Sequence, residues 1–320
     1  NPLSWLPGAR AIYGGRALAL KLFDEVKPAA VIGFGGYPAF PALLAARSAG
    51  VKSAVHEQNA VLGRVNRMVA GFDDAIAVAY PKMKRLPGGY LGKTHLVGNP
   101  VRDEVLALRD QPFPALSAKE QLRILVIGGS QGATILSDVV PDGLARLSIP
   151  ASRLHVTQQC RAEDVDRVRA RYSDLGIRAD LATYFENIPD LLAKAHLVIG
   201  RAGASTIAEL TCAGRPAILI PLPSATDDHQ SYNVKEMVAA GGARAIAQPA
   251  FTAIELATQI EKIALEPGAL EHAAKAAKSC GRPNAVADLA DLVESFGRAP
   301  IMHGLSAKPE TSASFGAAPA

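Results

Sequence analysis

The stretch Arg201-Ala-Gly-Ala-Ser-Thr-Ile-Ala-Glu209 decides the fold, together with the apolar runs on either side of it. Residues 195–200 (Ala-His-Leu-Val-Ile-Gly) have the length and composition of a short buried strand. Small residues then form a turn, and Ser205 or Thr206 can open a helix with Glu209 on its first turn. A helix N-terminus after such a turn suits an anion, and the carboxylate can accept hydrogen bonds from a sugar diol. An ordinary capped connection between a strand and a helix explains the pattern equally well.

The same alternation of strand and helix patterns runs through most of the chain. Short apolar runs are separated by stretches with helical spacing, at residues 39–49, 134–147, 162–175 and 232–240. This rhythm predicts an α/β protein with parallel sheets and helices on both faces. The predicted strands are residues 29–33, 52–56, 75–78, 95–97, 123–127, 154–157, 197–199, 217–220 and 243–246.

A polar stretch with prolines, residues 110–121, interrupts this rhythm just before a new strand pattern begins. We therefore predict a linker there, between a first domain of residues 1–109 and a second domain of residues 122–296. Residues 297–320 combine small residues and prolines without apolar periodicity, which is typical of a disordered tail.

Composition narrows the class of protein. A chain of 320 residues with 49% hydrophobic residues can fill two cores. Its three cysteines have no metal-site or disulfide spacing, which favours a reducing compartment, and no apolar run is long enough to span a bilayer. Residues 1–100 hold 12 Lys and Arg against 5 Asp and Glu, a net charge of +7, and the remainder carries −3. This asymmetry indicates an anionic partner for the first domain, although a randomly basic surface would give the same count.

Two glycine-rich turns follow predicted strands, at residues 33–38 (Gly-Phe-Gly-Gly-Tyr-Pro) and 128–133 (Gly-Gly-Ser-Gln-Gly-Ala). Glycine lets a backbone approach a phosphate, and the helix that follows favours its charge. The second turn is not a Walker A loop, because no Gly-Lys-Ser/Thr follows. The next strand ends in residues 156–159 (Val-Thr-Gln-Gln) without the acidic residue that holds a ribose in dinucleotide sites, which disfavours NAD.

Polar clusters end other predicted strands. His56-Glu-Gln-Asn59 ends one, and Gly98-Asn-Pro-Val-Arg102 turns the chain so that Arg102 lies near an interdomain cleft, where it suits a phosphate. In residues 227–233 (Asp-Asp-His-Gln-Ser-Tyr-Asn), Gln230 and Asn233 share a helix face and can bind neutral hydroxyls. The acidic start of that segment has no partner cluster elsewhere, so we predict neither a metal nor a cofactor.

In combination and in this order, the motifs GFGGYPAFP, HEQN, GNPVR, GGSQGA, RAGASTIAEL and DDHQSYN closely resemble the MurG family over residues 10–296. These are the UDP-N-acetylglucosamine-dependent transferases of bacterial peptidoglycan synthesis. The resemblance implies the GT-B fold, two Rossmann-like domains facing a cleft with the donor in the second. It also implies inverting transfer of GlcNAc from UDP-GlcNAc to the C4 hydroxyl of undecaprenyl-diphospho-MurNAc-pentapeptide (lipid I), which gives lipid II.

The resemblance also implies a set of site residues. Glu209 corresponds to the ribose contact, the uracil faces the backbone at Glu186 or Asn187, and His56 and Glu57 are candidates on the acceptor side. The general base is not assigned. The remaining implied substrate contacts are Asn59, Arg102, Ser130, Gln131, Gly132, Ala204, Ser205, Thr206, Ile207, Ala208, Gln230 and Asn233.

One departure concerns the start of the chain. The family begins with a further loop, GGTGGH, whose histidine is a favoured candidate for the general base, and the present sequence starts downstream of it. We therefore expect an incomplete first domain and a fragment whose own activity is a separate question.

The resemblance implies lipid I, an anionic membrane surface and cell-wall and division proteins as partners, with no nucleic acid. The expected location is the cytoplasmic face of the bacterial inner membrane, with peripheral attachment. The N-terminal segment combines apolar and basic side chains that suit such a surface, although the same apolar residues would equally cover a core left exposed by a missing N-terminus. These residues are Leu3, Trp5, Leu6, Ile12 and Tyr13, with Arg10, Arg16 and Lys21.

The same motifs are compatible with two other classes of function. Another UDP-sugar transferase or a UDP-GlcNAc epimerase would use the same fold. A non-catalytic protein that binds a nucleotide sugar would carry the same binding motifs without turnover.

Overall fold

The computed structural model describes residues 6–117, 120–129, 133–266 and 268–297. Within these residues the strands form two parallel sheets, one of four strands and one of six. The chain completes the first sheet before it begins the second. The structure therefore has the α/β architecture that the alternating strand and helix patterns predict.

The strands of the first sheet follow one another in chain order, each paired with its predecessor. Residue Gly33 pairs with Val55 and residue Glu57 pairs with Val78, so the loops that follow the strands leave from one edge. The elements of this region are α1 Leu6–Val26, β1 Ala30–Gly33, α2 Ala39–Ala49, β2 Lys52–Glu57, α3 Arg64–Val69, β3 Ala75–Val78, β4 Thr94–Leu96 and α4 Asp103–Leu106.

The second sheet has the strand order β10-β9-β8-β5-β6-β7. The chain adds β6 and β7 on one side of β5, then returns to place β8 on the other side. This reversal is the switch point of a doubly wound fold. The elements are β5 Leu122–Ile127, α5 Thr134–Leu144, β6 Leu154–Gln159, α6 Val165–Asp174, β7 Arg178–Ala182, α7 Ile188–Lys194, β8 Leu197–Arg201, α8 Ala204–Ala213, β9 Ala217–Ile220, α9 His229–Asn233, α10 Lys235–Ala240, β10 Ala243–Ala245, α11 Ala253–Ile260, α12 Ala269–Ser279 and α13 Ala285–Ser295.

Alternate side chains of the second sheet fill two separate cores. Ile124 and Val126 pack in one core with Leu136 of α5, and Leu125 packs in the other with Leu210 of α8. Burying a leucine or isoleucine contributes about 1.5–3 kcal/mol relative to exposing it, so these layers hold the strand ends in place.

A buried arginine, Arg215, fixes the C-terminal ends of two helices of the second domain. The Nε of Arg215 donates to Leu192 O at 2.5 Å, and its Nη1 donates to Ala213 O at 3.0 Å. The side chain is 2% exposed, and burial lowers its pKa to about 10. Because helix C-termini carry partial negative charge, the guanidinium is stabilised without a carboxylate, and it anchors α7 and α8 to one another.

The last helix returns to the first sheet. Leu289 of α13 packs with Ala77 and Val97, on the face opposite to that of α2. Gly98 permits this contact, because its φ is +93° and a Cβ there would lie 2.7 Å from Arg282 Cβ. The predicted second domain, residues 122–296, includes this helix, whereas its apolar side chains pack on the first domain.

Several predicted bounds differ from the structure. Strand β7 was missed because residues 178–182 include charged side chains, which an edge strand tolerates but an apolar-run criterion rejects. The helical spacing of residues 162–175 becomes a short 3-10 turn followed by α6. The predicted tail, residues 297–320, lies outside the described residues apart from Gly297.

Candidate functional site

The switch point of the second sheet lies between β5 and β8. Strand β5 leads into Gly128 and Gly129, and β8 leads into the turn before α8. Ligands of doubly wound folds bind beyond the carboxyl ends of the strands at such a point. The predicted contacts Ser130, Gln131 and Gly132 lie outside the described residues.

Helix α8 begins at Ala204, with Gly203 as an extended N-cap residue and no side-chain cap in the described structure. The sequence prediction that Ser205 or Thr206 opens the helix is therefore wrong, because glycine occupies the N-cap. The first N–H groups of a helix have no acceptor within it, so Ala204, Ser205 and Thr206 present backbone donors suited to a diphosphate.

Two further predicted residues of this segment have different surroundings. Ile207 is buried in the core beneath α8, so its side chain does not face the cleft, and Ala208 is half-buried. Because the helix begins at Ala204, Glu209 lies on its second turn rather than on its first.

The carboxylate of Glu209 meets a cation from the first domain. Arg102, which precedes α4, donates from Nη2 to Glu209 Oε1 at 2.8 Å. The Arg102 side chain is 49% exposed and that of Glu209 is 21% exposed. An exposed ion pair of this kind contributes about 0–1 kcal/mol, so a ligand with hydroxyl or phosphate groups can replace it at small cost.

Gln230 connects the ends of two neighbouring strands. Its Oε1 accepts from Ala202 N at 3.2 Å and from Leu222 N at 3.0 Å, so it holds the turn after β8 against the turn after β9. The preceding Asp227 and Asp228 both have φ of +56°, a conformation that non-glycine residues rarely adopt. This local strain is offset by contacts with the rest of the structure.

Asp227 supplies one of those contacts across the cleft. Its carboxylate pairs with Arg85 at 2.6 Å and with Arg67 at 3.3 Å, both from the first domain. These ion pairs hold the pKa of Asp227 below its usual range, although desolvation alone would raise it. No local sequence pattern predicts this clamp, because its three residues are far apart along the chain.

Asn233 joins the two domains at the base of the cleft. Its Oδ1 accepts from Ala60 N at 2.8 Å, and its Nδ2 donates to Asn59 Oδ1 at 3.1 Å and to Ala202 O at 3.3 Å. The side chain is fully buried. The structure thus brings Asn59 and Asn233, which were predicted separately, into contact, and it places Gln230 beside them through the shared Ala202.

Glu57 organises the loop that carries Asn59. Its Oε1 accepts from Asn59 N at 3.1 Å, and its Oε2 accepts from Gly63 N at 2.7 Å and from Asn66 Nδ2 at 2.8 Å. The residue is 3% exposed. A carboxylate so fully occupied by N–H groups shapes the loop and has no oxygen free for an acceptor sugar.

His56 is also enclosed. Its Nε2 lies 2.8 Å from Gly98 O, its Nδ1 lies 3.0 Å from Gln58 Nε2, and the ring packs edge-on against Phe34. Burial lowers the pKa of His56, so the neutral ring, donating to the carbonyl and accepting from the amide, is favoured. This environment suits a residue that joins two loops of the first domain.

The predicted uracil-facing segment precedes α7. Asn187 is the N-cap residue of that helix, and both Glu186 and Asn187 are exposed. Arg201, which sequence reasoning missed, ends β8 beside the switch point and donates to Gln248 Oε1 at 2.8 Å and to Ile220 O at 3.2 Å. Its position at a strand end was visible in the sequence, but its partners were not.

Two family models match this chain. The family model described as the glycosyltransferase family 28 C-terminal domain matches residues 123–293, and that of the N-terminal domain matches residues 6–78. The chain is 60% identical over 318 residues to the UDP-N-acetylglucosamine--N-acetylmuramyl-(pentapeptide) pyrophosphoryl-undecaprenol N-acetylglucosamine transferase of Novosphingobium aromaticivorans, across 99% of this chain and 82% of the relative. The chain belongs to the MurG family.

Solved structures agree with this family assignment. The crystal structure of MurG from Acinetobacter baumannii aligns with a TM-score of 0.76 at 30% identity, over 90% of this chain and 80% of that one. The UDP-GlcNAc 2-epimerase of Neisseria meningitidis aligns with a TM-score of 0.64 at 15% identity, over 89% of this chain and 81% of that one, which shows a shared fold alone. The predicted GT-B fold and the predicted family are confirmed.

Proposed function

We propose that this chain transfers GlcNAc from UDP-GlcNAc to the C4 hydroxyl of lipid I, with inversion, in the cleft between its two domains. The relatives' name describes this donor and this acceptor. The observation that carries the proposal is the convergence of Asn59, Arg102, Glu209, Gln230 and Asn233, from distant parts of the chain, on one interdomain cleft.

The geometry supports a division of roles. The free N–H groups at the start of α8 and the Arg102 guanidinium would stabilise the charge that develops on the leaving diphosphate. Glu209 would exchange its ion pair for the ribose hydroxyls, and the loop after β7 would hold the uracil at Glu186 or Asn187. These assignments rest on position and on chemistry that suits each group.

A direct displacement at the anomeric carbon also needs a base for the acceptor hydroxyl. The polar atoms of His56 and Glu57 are already engaged in buried hydrogen bonds with their own domain. We propose that both act as positioning residues, which hold the loops around Asn59 and Gly98 in place.

The test is release of UDP by the 320-residue chain with UDP-GlcNAc and a lipid I analogue, with the product identified by mass spectrometry. The proposal expects UDP release only when the acceptor is present, together with an acceptor product heavier by one GlcNAc. Formation of UDP-ManNAc without acceptor would identify an epimerase instead. UDP binding without any turnover, in this chain and in one extended to the length of its relatives, would identify a binding protein.

We also propose that helix α1 rests on the membrane surface. No helix of the described residues is long and apolar enough to cross a bilayer. Leu18, Leu22 and Val26 of α1 recur every four residues and are between 51% and 70% exposed, which gives the helix an apolar outer stripe. Arg10 and Lys21 are exposed beside them, whereas Arg16 is held by Ser48 of α2. Of the predicted anchor residues, Leu3 and Trp5 lie outside the described range.

Vesicle co-sedimentation tests this membrane proposal. Binding should increase with the fraction of anionic lipid and fall with salt, because each basic group near the surface contributes about 1 kcal/mol. Changing Leu18 and Leu22 to Ser should weaken it, whereas Ile254→Ser, at a residue of the second domain that is 65% exposed, should not. Equal binding to neutral vesicles, or no loss in the α1 variant, would reject α1 as the contact.

A further inference from the structure

A second concave surface adjoins the cleft. It is an open groove of about 960 Å³ between the β3–β4 connection of the first domain and helices α9 and α10 of the second. Its floor includes Met83, Leu91 and Leu96, and the last two are 64% and 46% exposed. Exposed leucines in a groove of this size are typical of a binding surface for an apolar chain.

Lysines surround this apolar floor. Lys82, Lys84 and Lys235 line the groove and are exposed, and none forms an ion pair within the part of the chain that the structure describes. Lys84 and Lys235 approach the Tyr232 ring to 4.1 Å and 3.9 Å from its centroid, so two cations share one aromatic ring. The acidic side chain of the groove, Glu236, pairs with Arg282 at 2.7 Å. The groove therefore has uncompensated positive charge above an apolar floor.

The groove begins beside the residues of the cleft. Ala60 lines it, and the N–H of Ala60 is held by Asn233, whose amide also bonds Asn59. Met83 and Leu86 pack in the same apolar cluster as Leu43 of α2, and α2 packs against α1. The groove thus begins at the cleft, and part of its floor belongs to the apolar cluster on which α2 packs.

We propose that this groove binds the diphosphate and the first isoprenoid units of the polyprenyl acceptor, an inference that rests on the proposed function. In such an acceptor the diphosphate is attached to C1 of the sugar, across the ring from the reacting C4 hydroxyl. With C4 at the cleft, C1 points outward, the diphosphate meets the lysines, and the isoprenoid covers Met83, Leu91 and Leu96. The rest of the polyprenyl chain then continues toward α1 and the membrane surface.

Binding of a short analogue tests this directly, without turnover. Calorimetry would compare geranylgeranyl diphosphate, inorganic pyrophosphate and geranylgeraniol on the 320-residue chain. The diphosphate lipid should bind at least tenfold more tightly than either part alone. The variant Lys82→Glu/Lys235→Glu should weaken its binding at least tenfold. The matched control Lys262→Glu/Lys275→Glu, at two exposed lysines of the second domain, should change it less than twofold.

Kinetics supply the second readout. The same groove variant should raise KM for the lipid acceptor at least tenfold and leave kcat and KM for UDP-GlcNAc within about threefold. Leu91→Asp should raise the acceptor KM in the same way, with Ile254→Asp as the control for a surface charge.

Unchanged probe binding and acceptor KM in both groove variants would overturn the inference, and so would pyrophosphate binding as tightly as the lipid. A chain that transfers no sugar but binds the probe through these lysines would refute the proposed function and retain the groove as a polyprenyl diphosphate site.

Discussion

Two carboxylates lie beside the same cleft in opposite domains and have contrasting surroundings. Glu57 of the first domain is 3% exposed and holds the N–H groups of its own loop. Glu209 of the second domain is partly exposed and has an arginine partner that a ligand can displace. The contrast indicates that the described first-domain loop is a fixed wall of the cleft, whereas the second domain presents side chains whose partners a ligand can exchange.

The largest effect is expected at the fixed wall. Glu57→Ala should lower the free energy of unfolding by about 3 kcal/mol, because buried N–H donors of Asn59, Gly63 and Asn66 lose a charged acceptor. Urea unfolding measures this loss of free energy, with Glu25→Ala on the exposed surface of α1 as the control. A loss no larger than that of the control would mean that Glu57 is not structural and would reopen its assignment to the acceptor.

A third carboxylate, that of Asp73 in the first domain, should respond to removal of its charge in the opposite direction. Asp73 is 2% exposed, accepts a hydrogen bond from Ser53 Oγ, and has one oxygen without a partner among the described residues. Burial raises the pKa of Asp73 to about 6. Its folded pKa lies above its unfolded one, so its stabilising contribution is present below about pH 4 and is lost as pH rises through about 6.

Asp73→Asn should therefore stabilise the chain by about 2 kcal/mol at pH 8 and lose that advantage near pH 4. Its neighbour Asp74 provides the matched comparison. Hydrogen bonds from Lys52 and from Ser53 N–H outweigh the desolvation that would raise the pKa of Asp74, and they lower it. Asp74→Asn should thus destabilise at pH 8. Thermal unfolding at the two pH values measures both, and the same sign for both variants would contradict the assignment.

An intermediate loss of stability is expected at the contact between the two domains. Asn233→Ala removes hydrogen bonds to Ala60, Asn59 and Ala202, and should cost about 1.5 kcal/mol of stability. It should also loosen the domains, which small-angle scattering would detect as a larger radius of gyration. Asn284→Ala, at an exposed asparagine, is the control. An unchanged radius and stability would show that other contacts set the domain arrangement.

The smallest effect is expected for the exchangeable pair itself. A double-mutant cycle on Arg102 and Glu209, each changed to Ala, should give a coupling energy of about 0.5 kcal/mol in unfolding experiments without ligand, and less at high salt. A coupling above about 2 kcal/mol would mean that the pair is a structural clamp.

The sequence predicted the fold well where local signals were strong. Helix α2 was predicted at residues 39–49, which are its observed bounds, because Gly50 takes a left-handed C-cap that ends the helix. Strand β7 was missed because it lies at a sheet edge, where polar side chains remain solvated. The return of α13 to the first sheet is decided by packing with Val97, a contact that no local pattern encodes.

The candidate site was predictable as a set of positions but not as a set of roles. Strand ends identified Asn59, Arg102 and Gln230, since polar residues after buried strands collect at one edge of a parallel sheet. The fixed role of Glu57 depends on Gly63 and Asn66, which the chain brings back through a turn and a helix. The strained Asp227 and its two arginine partners depend on the approach of the domains, which sequence spacing does not show.

Binding of UDP to the Glu209→Ala variant tests the contrast between the two walls most directly. Calorimetry should show a loss of about 1–3 kcal/mol in the free energy of UDP binding, the scale of a lost charged hydrogen bond, while the free energy of unfolding changes by less than about 1 kcal/mol. The loss of UDP affinity should therefore occur without a comparable loss of stability. Unchanged UDP affinity in a folded Glu209→Ala variant would contradict it.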